Sequence, residues 1–392
     1  MVKLSPITNA WGQAPLLTVP AEHSIVYRAA EDAAFSHHPQ ITAWHGVIYA
    51  TWSLGQRHED DPGQQMVLAS STDNGSTWSS PRAISPRARD DDGTEITTTA
   101  AGLRAYAETL IATYGCYTWT PLGLDGEGHR IPHAVAPYLG DSSRRVHRHV
   151  WTEARVSADG GATWGAPVRI LDRFVPNLRP LPTASGRLIC AGNVTFPYTD
   201  DPSGLSGWQP AGLPRLPEDT IDAPCEWEQA CCGRGDLDAA GQGVAYCEGA
   251  FYQSDDGVLH MMLRTNQPRL AVSESSDDGE SWSEPALSSY TDCGSKTAFG
   301  RLPDGRWFGI TCPEPGSART PLILAASENG VVFDRHYVLG DAPATSPRFP
   351  GIHKGGRYGY PSYHLTEQTL WVIYSINKED VALCRVALSA LT

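Results

Sequence analysis

The chain has 392 residues, a formal net charge of −14 and only 19% charged residues, with 38 Gly, 30 Pro and 12 Trp. So acidic a chain is drawn to neither nucleic acid nor anionic membrane, and neither is an expected partner. No apolar run approaches the roughly 18 residues of a membrane helix and no stretch keeps a helical period, so the composition describes many short strands joined by turns.

The opening MVKLSPITNAWGQ lacks the apolar core of a signal peptide, which reads as cytoplasmic, or as secreted if the chain begins after a removed signal. The segment LLTVPAEHSIVYRAA is expected to add a strand to the last repeat and so close the structure. Residues 37–83 read as a first four-stranded repeat (HHPQI, VIYATWS, MVLASST, PRAIS) and about 95–170 as a second, with the loop 115–147 inside it. A third runs from PNLRPLP through LICAGNVTF to Trp208, where DDPSGLSGW forms its closing hairpin. Residues 209–246, rich in Pro, Gly, acids and Cys, read as an insertion or an irregular repeat, and regular repeats resume at 247–290, 295–340 and 356–390. Cysteines number nine, and Cys225, Cys231, Cys232 and Cys247 crowd the insertion without zinc-like spacing, so a reduced or partly paired state is expected.

One pattern recurs along these repeats. It reads Ser71-x-Asp73-x-Gly75-x-Thr77-Trp78, Ser157-x-Asp159-x-Gly161-x-Thr163-Trp164, Ser275-x-Asp277-x-Gly279-x-Ser281-Trp282 and, degraded, Ala326-x-Glu328-x-Gly330-x-Val332-Phe333. A tight hairpin needs a residue tolerant of positive φ, hence glycine, and an Asp carboxylate can accept turn N–H groups. Asp73, Asp159, Asp277 and Glu328 lie 86, 118 and 51 residues apart, and the last interval fits one four-stranded blade of roughly 40–50 residues. The pattern resembles the Asp box of sialidase-like β-propellers. It implies an all-β fold in which residues 1–392 form a single β-propeller of four-stranded antiparallel blades, seven in number with six also compatible. A box on an outer hairpin identifies a fold and not a reaction.

Function is then expected where the innermost strands converge at one mouth of the channel. Those strands and their following loops carry His37, His38, His58, Tyr114, Arg130, Arg179, Arg264, Lys296, Arg301, Arg319, His353, Lys354, Arg357 and Tyr358, and are poor in Asp and Glu. Bland roles compete. Arg264 and Arg301 could bond carbonyls between blades, Lys354 and Arg357 sit among glycines where solvated charge is the default, and His37-His38 before Pro39 could simply cap a strand. Adjacent strand residues point to opposite faces, so one of the two histidines can reach the channel while the other packs.

Sialidases carry an Arg-Ile-Pro element near the first blade, and the region compared with it, Val26-Tyr27-Arg28-Ala29-Ala30, lacks it. Other segments resemble the L-rhamnose-α-1,4-D-glucuronate lyases. These are Ser36-His37-His38-Pro39, Trp52-Ser53 followed by Arg57-His58-Glu59-Asp60 and Pro62-Gly63-Gln64, and the stretch from Gly351 through Lys354, Arg357 and Tyr360 to Pro361. The resemblance implies His38, His58 and Tyr114 as proton-transfer groups and Arg130 and Arg179 on the substrate, and the inner-strand reading adds His37, Arg264, Arg301, Arg319, Lys354, Arg357 and Tyr358 as further binding candidates. Eliminating a 4-O-linked sugar from glucuronate means removing a weakly acidic C5 proton beside a carboxylate. Arginine can neutralise that carboxylate without losing its own charge, while His and Tyr can take and give the protons.

The expectation is therefore an exo-acting lyase releasing L-rhamnose from rhamnose–glucuronate caps of arabinogalactan or gum-type glycans. Such a lyase would need no cofactor, would leave room for a structural calcium ion, and would work as a monomer. A sialidase or α-L-rhamnosidase, and a non-catalytic glycan-binding propeller, are the alternatives.

Overall fold

The computed structural model describes residues 2–91, 93–119, 147–214, 235–237, 240–351 and 353–391. Among them the regular structure is strand throughout except for one 3-10 turn, Leu388–Ala390, and no helix is long and apolar enough to cross a membrane.

The strands form six sheets. The first joins Phe35–Trp44, Val47–Gly55, Gln65–Ser71 and Arg82–Ala83, each antiparallel to the one before. The second joins Thr97–Tyr106, Thr109–Trp119, His147–Ser157 and Val168–Asp172 in the same manner. The third is short, with Leu181–Pro182, Leu188–Ile189 and Tyr198–Thr199. Gly243–Gln253, Leu259–Thr265, Arg269–Ser275 and Ala286–Thr291 make the body of the fourth. Ala298–Arg301, Trp307–Thr311, Leu322–Ser327 and Arg335–Gly340 make the fifth. The sixth holds Gly359–Leu365, Thr369–Ile376 and Asp380–Ala387, and Ala21–Tyr27 is its outer strand, as the sequence predicted. Two further N-terminal strands were not foreseen. Lys3–Thr8 and Leu16–Thr18 run parallel to the outer edges of the fourth and fifth sheets and cover them.

Six sheets stand among the described residues, where the sequence favoured seven blades with six as the alternative. Most of 209–246, read from the sequence as an insertion or an irregular repeat, lies outside the described residues.

Apolar side chains fill the spaces between successive sheets. Met66, Leu68, Leu103 and Leu110 pack between the first and second, and Ile189, Phe196, Met261 and Leu263 between the third and fourth. Tyr252, Met262, Phe299 and Phe333 lie between the fourth and fifth, and Ile310, Leu322, Tyr358 and Tyr374 between the fifth and sixth. Ile41, Trp52, Ile373 and Leu383 bring the sixth sheet back against the first. Between the second and third, Val175 fits so closely over Gly115 that a Cβ there would stand 2.4 Å from Val175 Cγ1.

The box hairpins hold these neighbours together. Asp73 Oδ1 accepts from Ser71 Oγ (2.8 Å) and Thr77 N (2.9 Å), Oδ2 accepts from Thr77 Oγ1 (2.6 Å), and Gly75 N donates to Ser71 Oγ (2.9 Å). The boxes at Asp159 and Asp277 repeat this set. Each tip glycine has positive φ and presses on the preceding sheet: Cβ atoms at Gly75, Gly161 and Gly279 would come within 2.7 Å of Leu383 and Leu68 and 2.6 Å of Ile189.

The DDPSGLSGW hairpin behaves alike. Asp201 accepts from Ser203 and Ser206, Trp208 Nε1 donates to Gly204 O, and Arg104 of the second sheet donates to Ser203 O. In the degraded box the polar anchors differ from the sequence reading. Asn329 Oδ1, not Glu328, accepts from Ser327 Oγ, Val331 N and Val332 N, because this hairpin is one residue tighter, while Glu328 faces Arg335.

The Thr hydroxyl and turn N–H bonds hold the Asp73 and Asp159 carboxyls down at about 2, against an ordinary 3.8. A depressed folded value means that this contribution to stability is full above pH 3.8 and is lost as the pH falls towards 2. Replacing Asp277 by Ala should cost about 1 kcal/mol through orphaned but solvated turn N–H groups. In urea denaturation the midpoint should fall at unchanged slope, with turnover per folded molecule intact; a tenfold loss of turnover would place the box at the site after all.

Candidate functional site

Four first strands of their sheets interrupt their ladders. Register shifts fall between His37 and Gln40, Ala100 and Gly102, Cys247 and Gly249, and Gly359 and Ser362. Each break carries a residue with positive φ: His38 (53°), Gly102 (128°), Glu248 (43°) and Tyr360 (55°). A bulge sets two residues against one and re-aims a side chain, and strained backbone of this kind gathers at working sites. Arg319, His353 and Lys378, also at positive φ, come to the same place from loops.

The re-aimed groups meet in a cavity of about 510 Å³ lined by Glu59, Arg264, Arg319, His353, Tyr360 and Lys378 together with Lys354, Cys293 and Gly316. On its floor the Tyr360 hydroxyl donates to Glu248 Oε1, and Arg264 Nη1 donates to Glu248 Oε2 (2.5 Å) and Tyr360 Oη (3.1 Å). Around the Tyr360 ring stand Lys296 Nζ, Arg319 Cζ and Lys378 Nζ at 5.7, 5.6 and 5.9 Å, and the rings of His37 and His38 at 3.9 and 5.1 Å. Glu59 binds Lys378 Nζ through both oxygens at 2.8 and 2.7 Å.

Burial and charge decide the protonation states. Burial alone would raise the Glu248 carboxyl, but Arg264 and the Tyr360 hydroxyl overcome it and hold the group below its ordinary value, so it is an anion. Glu59 is likewise lowered, with Lys378 outweighing burial. Burial and then the Glu248 charge push the Tyr360 phenol well up, so it stays protonated until a base takes its proton. Burial brings His38 to about 4 and Lys296 to about 7, and burial with the adjacent Glu59 charge lifts Asp60 to about 7.

With Arg264 on Glu248 and Lys378 on Glu59, two cations remain without a carboxylate in bonding range among the described residues: Lys296, which donates to Asn177 O (3.2 Å), and Arg319, whose buried Nη1 has no partner. The cavity therefore presents donors to an acidic ligand. His37, His38 and Glu59 place one ligand atom each within 4.8 Å of one another. Two nitrogens and one carboxylate suit a transition metal better than the calcium that the sequence left room for, and the Lys378 ammonium already holds the carboxylate.

Several expected residues are here. His38 and Arg264 join the constellation, Arg319 offers its free N–H, and His37 lies beneath, Nδ1 3.0 Å from Ser375 Oγ and Nε2 3.9 Å from Glu59. Others are elsewhere. Tyr114 sits in the apolar layer between the first and second sheets, donating to Glu153 and accepting from Arg155, because it lies on a second strand and not an innermost one. His58 is on the loop beside Gly351, and its neighbour Glu59 is the one that lines the cavity.

Arg301 pairs with Asp255 on the outside, and Tyr358 is core, its hydroxyl accepting from Ala342 N. Arg357 packs its guanidinium near the Tyr358 ring and does not line the cavity. Lys354 lines the wall with its ammonium fully committed to Ala34 O, Phe349 O and Glu379. Arg179 faces a separate, smaller space. Arg130 lies outside the described residues.

The residues that the reading missed are Glu59, Glu248, Tyr360 and Lys378. A signal existed for one of them: His38-Pro39 and Tyr360-Pro361 both set a ring just before a proline where an innermost strand opens.

A BNR repeat-like domain model matches residues 133–373. A search of curated proteins finds no match. Among solved structures, a Dyadobacter fermentans protein of unknown function superposes with a TM-score of 0.59 at 16% identity, covering 93% of this chain and 98% of its own. The Hadza microbial sialidase Hz136 gives 0.62 at 14%, covering 94% of this chain and 69% of its own. Trypanosoma rangeli sialidase gives 0.59 at 14%, covering 94% of this chain and 60% of its own. At these identities the likeness is one of fold.

If Lys378 is what keeps Glu59 ionised, Lys378→Met should raise the Glu59 titration and cost about 3 kcal/mol by leaving a buried acid unpaired. Carboxyl-carbon NMR of labelled glutamate checks this; an unmoved Glu59 titration contradicts the pairing.

Proposed function

The chain belongs to the BNR repeat-like domain family, and we propose that it is an exo-acting carbohydrate-active enzyme that cleaves a terminal carboxylated sugar from a glycan. On this reading the six sheets are the blades of one propeller, closed where the N-terminal strand Ala21–Tyr27 joins the sixth sheet, and the cavity occupies the mouth at which propeller sites form. The sialidase names of the solved relatives favour a glycan as substrate.

One observation carries the reading. A buried tyrosine donates to an ionised glutamate whose other oxygen holds an arginine, beside a second arginine with a free N–H. Sialidases depart from the usual pair of carboxylates by using a tyrosine nucleophile, and this trio supplies what such a nucleophile needs. Arg319 and Arg264 take the sugar carboxylate. Glu248 accepts the phenol proton as Tyr360 Oη bonds to the anomeric carbon, and the departing oxygen takes a proton from water in the open cavity. Water then cleaves the tyrosyl–sugar bond, and the proton returns to Tyr360. The region compared with a sialidase Arg-Ile-Pro element, Val26–Ala30, lacks it, and the cavity has the His37 and His38 rings beside its two arginines.

Elimination from rhamnose–glucuronate caps is the second reading, favoured by the His38 ring 5.1 Å from that of Tyr360. Burial keeps His38 neutral, with its pKa near about 4, so it can take the C5 proton while the Tyr360 phenol protonates the departing O4 and the arginines neutralise the uronate.

Both readings require Tyr360 and the clamp. Tyr360→Phe should lower kcat about 10²–10⁴-fold on sialylated or rhamnose–glucuronate-capped glycans. Arg319→Lys should be badly impaired, since the planar fork is lost. A substrate with its carboxyl reduced to an alcohol should be refused; if it is processed as well as the native one, the clamp is wrong. Ultraviolet absorbance of an unsaturated uronate in the product marks elimination, and its absence with sugar released marks hydrolysis.

A further inference from the structure

Farther along the channel from Tyr360 lies a second space of about 30 Å³, lined among others by Gln40, Arg179, Phe299, Ser362 and Tyr363. Ser362 and Tyr363 follow Tyr360 on the same strand, which at about 3.3 Å per residue sets them roughly 7–10 Å beyond the cavity floor. Gln40 stands in the same relation to His38, and Arg179 to Asn177, whose carbonyl holds Lys296.

Among the described residues Arg179 has no counter-charge. Its one protein hydrogen bond is a long one, Nη1 to Ile41 O at 3.5 Å, and no carboxylate pairs with it among the described residues. The charged and titratable groups that it feels or that feel it are Arg104, Lys296, Tyr363 and His364, none of them an anion at neutral pH. Arg179 is half-buried, and a guanidinium cannot shed its charge by losing its proton. Beside it, Gln40 is 1% exposed. Ser362 Oγ donates to Gln40 Oε1 (2.9 Å), and in this orientation the buried Nε2 has no partner among the described residues. The two side chains are adjacent, since a Cβ on Gly102 would touch Gln40 Cβ and Cγ at 3.0 Å and Arg179 Cβ at 3.4 Å. A fixed cation and an orphaned amide donor thus face a space with room for about one small ion or water and none for a sugar ring.

We propose that this space binds a small monovalent inorganic anion, chloride under ordinary conditions, as the counter-ion of Arg179, with the Gln40 amide as second donor. The anion neutralises the middle of the channel and ties the third sheet, through Arg179, to the first, through Gln40. It takes no part in the chemistry at Tyr360, so the two readings stand or fall separately.

The test compares thermal unfolding of the full chain in sodium gluconate with that in sodium chloride or bromide at a matched ionic strength of about 0.1 M. A ligand that binds only the folded state raises Tm, here by about 3 °C or more in the halides. Arg179→Met and Gln40→Met should lose the halide increment while retaining the response to pH. Crystals of the unaltered protein grown in bromide should show an anomalous peak against the Arg179 guanidinium, which covers the case in which the variants fail to fold. Equal Tm in gluconate and halide, a halide increment that survives Arg179→Met, or bromide crystals with no peak at Arg179 would overturn the proposal. So would Arg179→Met raising KM for an acidic glycan at an unchanged halide increment, for the arginine would then serve the substrate.

Discussion

Three side chains of the candidate site reach their places through one backbone device. His38, Glu248 and Tyr360 each occupy a left-handed conformation at a bulge on an innermost strand. Regular pleating would send alternate residues into the layers between sheets, where apolar packing fills the space, and would leave a polar group facing carbon. The bulge turns one residue per strand out of that alternation and towards the axis. Such conformations cost of order 1–3 kcal/mol each for residues other than glycine. They persist because the flanking strands are held by full ladders and buried layers on both sides, so the rigid periphery supports the strained centre.

The charge arrangement follows from that convergence. A chain with a net charge of −14 concentrates Arg264, Arg319, Lys296 and Lys378 in one cavity and balances only two of them with Glu248 and Glu59. In a site partly withdrawn from water such an excess acts over its own cavity far more strongly than the distant surface acids do. The cavity can therefore favour an anion although the chain as a whole is acidic. Asp60 and Glu59, adjacent in sequence, show the same environment acting in opposite directions: Lys378 keeps Glu59 ionised, and the resulting negative charge helps to hold the Asp60 proton on.

The fold was legible because its signals are local. An Asp box is written within eight residues, and its hydrogen bonds close inside the same hairpin, so sequence alone exposed three boxes, the DDPSGLSGW variant and the N-terminal strand that joins the sixth sheet. The fourth box was read one residue out of register because glycine was weighted above the polar anchor, and Asn329 proved to do the accepting. The site was legible only where a residue type was conspicuous, as with His37-His38, Arg264 and Arg319. Glu248 and Tyr360 are 112 residues apart and mean nothing singly. Tyr114 was chosen over Tyr360 because strand order across a blade is a tertiary fact: a tyrosine on a second strand faces the neighbouring sheet, however polar its own hydroxyl.

Box and bulge divide the work of each sheet radially. At the outer hairpins, positive φ at Gly75, Gly161 and Gly279 lets the tip lie flat on the preceding sheet, where any Cβ would collide. At the inner strands, positive φ falls on His38, Glu248 and Tyr360, whose polar side chains glycine could not supply. Between the two ends the strands need only be apolar and β-branched enough to fill the layers. Substitutions there should act on stability through packing and, on the proposed function, those at the bulges on chemistry, so the two losses should separate between the outer and inner ends of each sheet and not along the chain.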